Sequence, residues 1–169
     1  MTFRVLYCLF VIEHGRRRIL HFSTTAHPTS EWIVQQLREA FQLPCPQRYV
    51  VLDRDAKFGC EVVEFLKASG LKPIRTSIRS PWQNGIAERW IGSCRREMTD
   101  HVIALNERHL KRLANEYLTY YHEDRTHKSL GKQTPGRRLI QPRPAANSEI
   151  LELPRIGGLH HRYCWTEAA

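Results

Sequence analysis

Long hydrophobic runs are missing from this sequence. No apolar stretch reaches 18 residues, so no segment is long enough to span a bilayer as a helix. The most apolar segment, MTFRVLYCLFVIEHG, lacks a charged n-region and a small-residue cleavage site, and it reads as a core strand, not a signal peptide. Cysteine is scarce: Cys8, Cys45, Cys60, Cys94 and Cys164 include no C-x-x-C pair. An odd, scattered set argues against a disulfide framework and for a reducing compartment. His160, His161 and Cys164 form an H-H-x-x-C run, but no second cluster completes a four-ligand zinc site. Internal repeats are absent. Acidic residues are also in short supply, with 17 Asp/Glu against 26 Lys/Arg, a net charge of +9. That balance favours a polyanionic partner, with a solvated basic face as the plainer alternative.

The excess charge is uneven. Residues 1–71 hold 9 Lys/Arg against 7 Asp/Glu, whereas residues 72–143 hold 15 against 7. A polyanion would therefore lie mainly across the second half. With 169 residues the chain suffices for one domain with a tail. Hydrophobic periodicity predicts two strands (3–12 and 17–25) joined as a hairpin by the His14-Gly15 turn. A helix is predicted after the Pro28-Thr29-Ser30 start signal, with Trp32, Ile33, Leu37, Ala40 and Phe41 on one face. A strand RYVVLD, a helix CEVVEFLKASG ended by Gly70 and a strand KPIRTSI follow. Helical spacing returns from Ile86 through IAERWIGSCRREMTDHVIAL, and a last helix follows Asn106 with a core stripe of Leu110, Leu113, Tyr117, Leu118 and Tyr121. From about residue 131 the chain is rich in Pro, Gly and Arg and reads as an extended tail. The order ββαβαβαα makes an α/β domain with a mixed sheet.

Two acidic positions raise a chemical question. In VLDRDAKFG, residues 50–58, Asp53 and Asp55 stand at the mouth of an apolar strand, which is costly unless a cation meets them. In open α/β sheets, working sites lie at the carboxyl ends of strands, where Asp53 is. Farther on, SPWQNGIAERWIGSCRRE, residues 80–97, opens as a flexible loop and passes into a helix with Glu88 in its first turn. On that helix Glu88, Ile91, Gly92 and Arg95 share a face by the i, i+3, i+4, i+7 rule. The plain reading of Glu88 is a favourable carboxylate at a helix N-terminus.

Taken together, LDRDAKF, SPWQNGIAERWIGSCRREMTDHVI and NERHLKRLANEYLTYYHEDRTHKSLGKQTP resemble the catalytic core of insertion-sequence transposases of the retroviral-integrase (DDE) type. Three features carry the resemblance over about residues 3–136. There are 34 residues between Asp53 and Glu88, a P-x-x-N-G-x-x-E frame from Pro81 to Glu88, and an ending that runs from Tyr117 and Tyr120 through Arg125 and His127 to Leu130. The resemblance implies an RNase H-like α/β fold with a mixed sheet flanked by helices, residues 1–136 forming the core and residues 137–169 a basic, Pro-rich tail. It implies DNA cleavage and strand transfer in the integration and recombination of a mobile element, with Mg2+ (or Mn2+) held by carboxylates. Asp53 matches the family's second aspartate and Glu88 its glutamate, as catalytic residues and metal ligands. Asp55 has no role to carry over and is left as an acceptor beside the site or a partner of Arg54 or Lys57. Lys57, Arg79, Trp82, Gln83, Asn84, Arg89, Arg95 and Arg96 are the candidate DNA contacts.

The family's first catalytic aspartate lies on a strand upstream of the one that here opens the sequence, and its N-terminal DNA-binding region is not in this sequence. The chain is therefore expected to be a core lacking its first strand, inactive in strand transfer unless that strand is supplied. The alternatives are a non-catalytic DNA-binding fragment, a decayed remnant of a transposase, or a metal-dependent nuclease of the same fold. The expected setting is the bacterial cytoplasm, associated with the nucleoid in use, with DNA as partner and a homo-oligomer when complete.

Overall fold

The computed structural model describes residues 4–42 and 46–166. Phe3, at the head of the first predicted strand, Cys45 and the end of the predicted tail lie outside the described residues. The chain divides into two compact units. One takes the chain up to Ile12 together with Ile19–Gly92; the other takes Glu13–Arg18 and the chain from Ser93 on.

In the first unit β1 (Tyr7–Ile12) pairs antiparallel with β2 (Ile19–Thr25), in the register Phe10 opposite Phe22. This is the predicted hairpin, shorter at both ends. Helix α1 (Ser30–Ala40) starts where the Thr29 side chain accepts the Trp32 N–H, closing an otherwise open helix end. Strand β3 (Tyr49–Leu52) pairs in parallel with β4 (Lys72–Arg75) across α2 (Cys60–Ala68). Gly70, at φ 78°, ends α2 in the left-handed conformation, which lets Leu71 N–H reach the Leu66 carbonyl at 2.9 Å. A side chain there would strain that turn.

One buried cluster joins these pieces: Ile33, Leu37 and Phe41 from α1, Leu52 from β3, and Val62, Leu66 and Leu71 around α2. Leu9 and Val11 of β1 and Val50 of β3 pack against it. Strand alternation then turns Phe10 and Phe22 to the other face, where both meet the ring of Trp90 at 4.2 and 6.1 Å between centroids. Trp90 belongs to α3 (Gly85–Cys94), so this helix is held against β1 and β2 opposite α1. The strands form separate antiparallel and parallel pairs; no continuous mixed sheet joins β1 to β3 among the described residues.

The second unit departs from the sequence reading twice. The helix predicted to run unbroken from Ile86 changes character at Arg95: Arg95–Thr99 is a π turn, in which Asp100 N–H reaches the Arg95 carbonyl. The wider turn shifts the register so that Met98 is buried and Glu97 meets α4 (Glu107–Glu123). Asn106 caps α4 through the His109 N–H at 2.8 Å. Second, the segment read as an extended tail contains a hairpin, β5 (Ile150–Arg155) antiparallel to β6 (His160–Trp165), which packs on α4. Its turn, Ile156-Gly157-Gly158, holds three consecutive positive φ angles. The Gly-Gly pair marks the turn, but Pro154 and two histidines obscure the strand alternation on either side.

Candidate active site and nucleic-acid interface

The loop after β3 is pinned at several points. The Asp53 carboxylate accepts the Asp55 N–H at 3.0 Å, and the Asp55 carboxylate accepts the Lys57 N–H at 2.9 Å. These are two successive side-chain-to-backbone turns of the kind aspartate favours. The Lys57 ammonium returns to Asp55 at 3.2 Å and lies 4.9 Å above the Tyr7 ring. Arg54 donates from Nε to the Thr76 carbonyl at 2.8 Å, and Arg75 donates to the Phe58 carbonyl. The cation that meets the acidic pair is thus Lys57, and it serves Asp55. The Lys57 backbone N–H, bonded to its charged form, holds the Asp55 carboxyl below the usual range.

Asp53 is exposed at the strand end, and Glu88 is exposed in the first turn of α3. Among the described residues neither has a protein cation as ion-pair partner. Both are oxygen donors of the sort magnesium prefers, one or two carboxylates with water filling the remaining positions. Among the described residues no bond joins them, and no group of three or more His, Cys, Asp or Glu stands ready to hold a metal.

The loop between β4 and α3 is not the flexible segment its composition suggests. Pro81–Asn84 is a 3-10 turn, and Gln83 bridges back to Ser77, accepting its N–H at 2.6 Å and donating to its hydroxyl at 3.2 Å. Gln83 is therefore a clasp in this loop. Trp82 lies outside the clasp with 73% of its surface exposed, next to Ile78 at 71% and the exposed Arg79, whose φ of 55° is unusual for a side-chain-bearing residue. Trp82 is therefore not packed under the loop as local core. Asn84 is half-buried and Arg89 is exposed on α3. Arg95 and Arg96 are exposed on the π turn, in the second unit. Sequence reasoning missed Ser77 and Tyr7, whose roles rest on contacts with residues 6 and 50 positions away.

The residues of the Tyr117-to-Leu130 ending form a structural hub in the second unit. Arg125 grips the Glu97 carboxylate with Nε and NH2, at 2.8 and 2.7 Å, while Tyr117 donates its hydroxyl to the same group at 3.0 Å. Burial first, then the Glu97 charge, pushes the Tyr117 hydroxyl pKa upward. His127 stands edge-on to Tyr121 at 4.9 Å, and burial with the adjacent Arg125 lowers its pKa to about 4.

Comparison with known proteins gives one family match and one structural likeness. Residues 69–135 match the family described as Integrase core domain, a span that includes Glu88, the Trp82 loop and the hub but not Asp53. A chain in the cryo-EM structure of the simian T-cell lymphotropic virus intasome in complex with PP2A regulatory subunit B56 gamma has the same fold, with a TM-score of 0.62 at 13% identity. The match covers 96% of this chain and 61% of that one. No curated protein matches the sequence. The fold is α/β, of the RNase H-like integrase-core type.

Proposed function

We propose that this chain supplies catalytic-core elements of a transposase or integrase that cleaves and joins DNA, with Asp53 and Glu88 as its metal-holding carboxylates. The observation that carries the proposal is the pair itself: two exposed acids, at a strand end and a helix start of one unit, with no protein countercharge among the described residues. Integrase-type cores are generally dependent on divalent metal, and Mg2+ or Mn2+ fits these oxygen donors. When bound, such an ion stabilises the attacking and leaving oxygens of an in-line displacement at a phosphodiester. The protein's own task is to hold the carboxylates and place the DNA. Asp53 keeps its orientation through the Asp55 N–H, and Glu88 through the docking of Trp90 on Phe10 and Phe22. Arg79, Arg89, Arg95 and Arg96, all exposed, would contact backbone phosphates, and the exposed Trp82 an unstacked base. The substrate is DNA, and because two DNA ends must be paired, the working form is a homo-oligomer.

Among the described residues, two carboxylates are one short of the set this chemistry uses, which favours a second reading: a DNA-binding fragment without catalysis. One set of measurements separates them. In a mobility-shift titration the chain should bind duplex DNA without sequence preference and release it steeply with salt, as counterion release requires. Mn2+ should bind weakly and be lost in Asp53→Asn and Glu88→Gln. By itself the chain should show no strand transfer. Absence of salt-dependent DNA binding would sink both readings, and Mn2+ binding indifferent to both substitutions would leave only the fragment.

A further inference from the structure

The C-terminal hairpin contains a charge imbalance that the integrase-type reading does not use. Asp124 follows the last turn of α4, where a negative charge opposes the helix dipole, yet its side chain is only 1% exposed. Three arginines from three segments converge on it: Arg138 at 3.2 Å, Arg155 of β5 at 2.8 Å and Arg162 of β6 at 3.7 Å. One carboxylate faces three guanidiniums. These offer roughly fifteen N–H donors, of which four are bonded among the described residues: one each from Arg138 and Arg155 to Asp124, one from Arg138 to the Tyr163 carbonyl, and one from Arg155 to the Pro154 carbonyl. The side chains keep 30%, 26% and 28% of their surface exposed, so the remaining donors reach solvent.

Among the described residues, neighbouring acids do not restore the balance. Glu152 is engaged by the Tyr163 hydroxyl at 3.0 Å and by His161 at 3.6 Å, and strand alternation places this group on the face opposite Arg155 and Arg162. Glu97 is taken by Arg125. Even with the exposed Glu123 counted against it, the cluster stays positive. The hairpin that carries two of the arginines is itself fixed. His160 stacks on Tyr120 at 4.4 Å with an 11° interplanar angle, and its Nε2 bonds the Glu97 carbonyl at 2.8 Å. Guanidiniums already held in place lose little freedom when they bind an anion, and their planar forks suit phosphate oxygens.

We propose that Arg138, Arg155 and Arg162 form a phosphate-contact site for a nucleic-acid backbone, carried by the C-terminal hairpin and the segment before it, in the unit that does not contain Asp53 and Glu88. This rests on the DNA-binding reading and adds a second contact to it. Arg162 is the informative position, because among the described residues it makes only the long ion pair, while Arg138 and Arg155 keep Asp124 bonded in its absence. Binding of the full chain to a 30-base-pair duplex is measured against KCl concentration for the wild type, Arg162→Gln and Arg162→Lys, each checked by thermal melting. Arg162→Gln should weaken binding several-fold and reduce the slope of log affinity against log salt by about 0.9 for the lost phosphate contact. Arg162→Lys should restore most of the slope. On the unmodified chain, duplex DNA should slow hydrogen exchange across residues 153–162, which gives an answer even if the variants melt early. An unchanged slope in a folded Arg162→Gln, no protection of that segment, or protection by polyglutamate in place of DNA would overturn the site. Loss of all salt-dependent binding in the wild type would instead overturn the DNA reading beneath it.

Discussion

At the scale of single residues, Trp90 has the clearest consequence. Its ring is buried against Phe10 and Phe22, but among the described residues the indole N–H has no hydrogen-bond partner. A buried donor without a partner costs about 1–3 kcal/mol, so Trp90→Phe, which keeps an aromatic ring and removes the donor, should leave the melting temperature unchanged or raise it. A large drop would mean that the ring's full size sets the position of α3. Trp82 makes the opposite case, a large aromatic left in solvent. With Trp32, Trp90 and Trp165 changed to Phe, single-stranded DNA should quench its fluorescence, and Trp82→Ala should weaken that binding by about 1–3 kcal/mol per stacked base. Unaltered emission would rule out stacking.

At the scale of elements, two close fits matter. Gly136 donates its N–H to the His122 carbonyl at 2.8 Å, near the end of α4, and a Cβ there would also stand 2.8 Å from that oxygen. Neither backbone can retreat freely. Gly136→Ala should therefore destabilise by about 1–3 kcal/mol in urea unfolding, the usual cost of overpacking; a neutral result would mean that the segment shifts without penalty. Strand β1 pairs with β2 alone among the described residues, although one core runs beneath β1 and β3 together. Tyr7 on that strand is exposed, and an unpaired apolar edge invites pairing with another chain. Tyr7→Lys should reduce self-association in sedimentation velocity, at a small cost in melting temperature because it replaces the ring beneath the Lys57 ammonium with a like charge. Equal association in both proteins would exonerate this edge.

For the whole molecule, acid should act through His127. Its pKa in the folded chain is about 4, against an ordinary value of 6.5, so between those limits the unfolded chain binds more protons. Stability then rises with pH across that window, is fully present above about pH 6.5 and is lost on acidification toward pH 4. His122, also lowered by burial and by Arg18, acts in the same direction. The midpoint of urea unfolding should be lower at pH 5 than at pH 7, and His127→Gln should flatten the difference. A pH-independent midpoint between 5 and 7 would show that the hub does not bury a neutral imidazole.

The sequence by itself determined the fold class, the order of elements through α4 and the two acids. Those rest on local signals: alternation in β1 to β4, the Thr29 and Asn106 caps, Gly70 after α2, and carboxylates placed against the local trend of their surroundings. It also marked Trp82, by setting a large aromatic among turn formers. Tertiary structure alone decided what those residues touch. Lys57, read as a DNA contact, is engaged by Asp55 and Tyr7; Gln83 clasps Ser77; and the Tyr117-to-Leu130 ending converges on Glu97. The hairpin that starts at Ile150 and the three arginines around Asp124, two of them on it, were beyond local reading for the same reason. Their stabilising partners lie 14 to 38 residues away in the chain, and no period or turn signal encodes a distance of that kind.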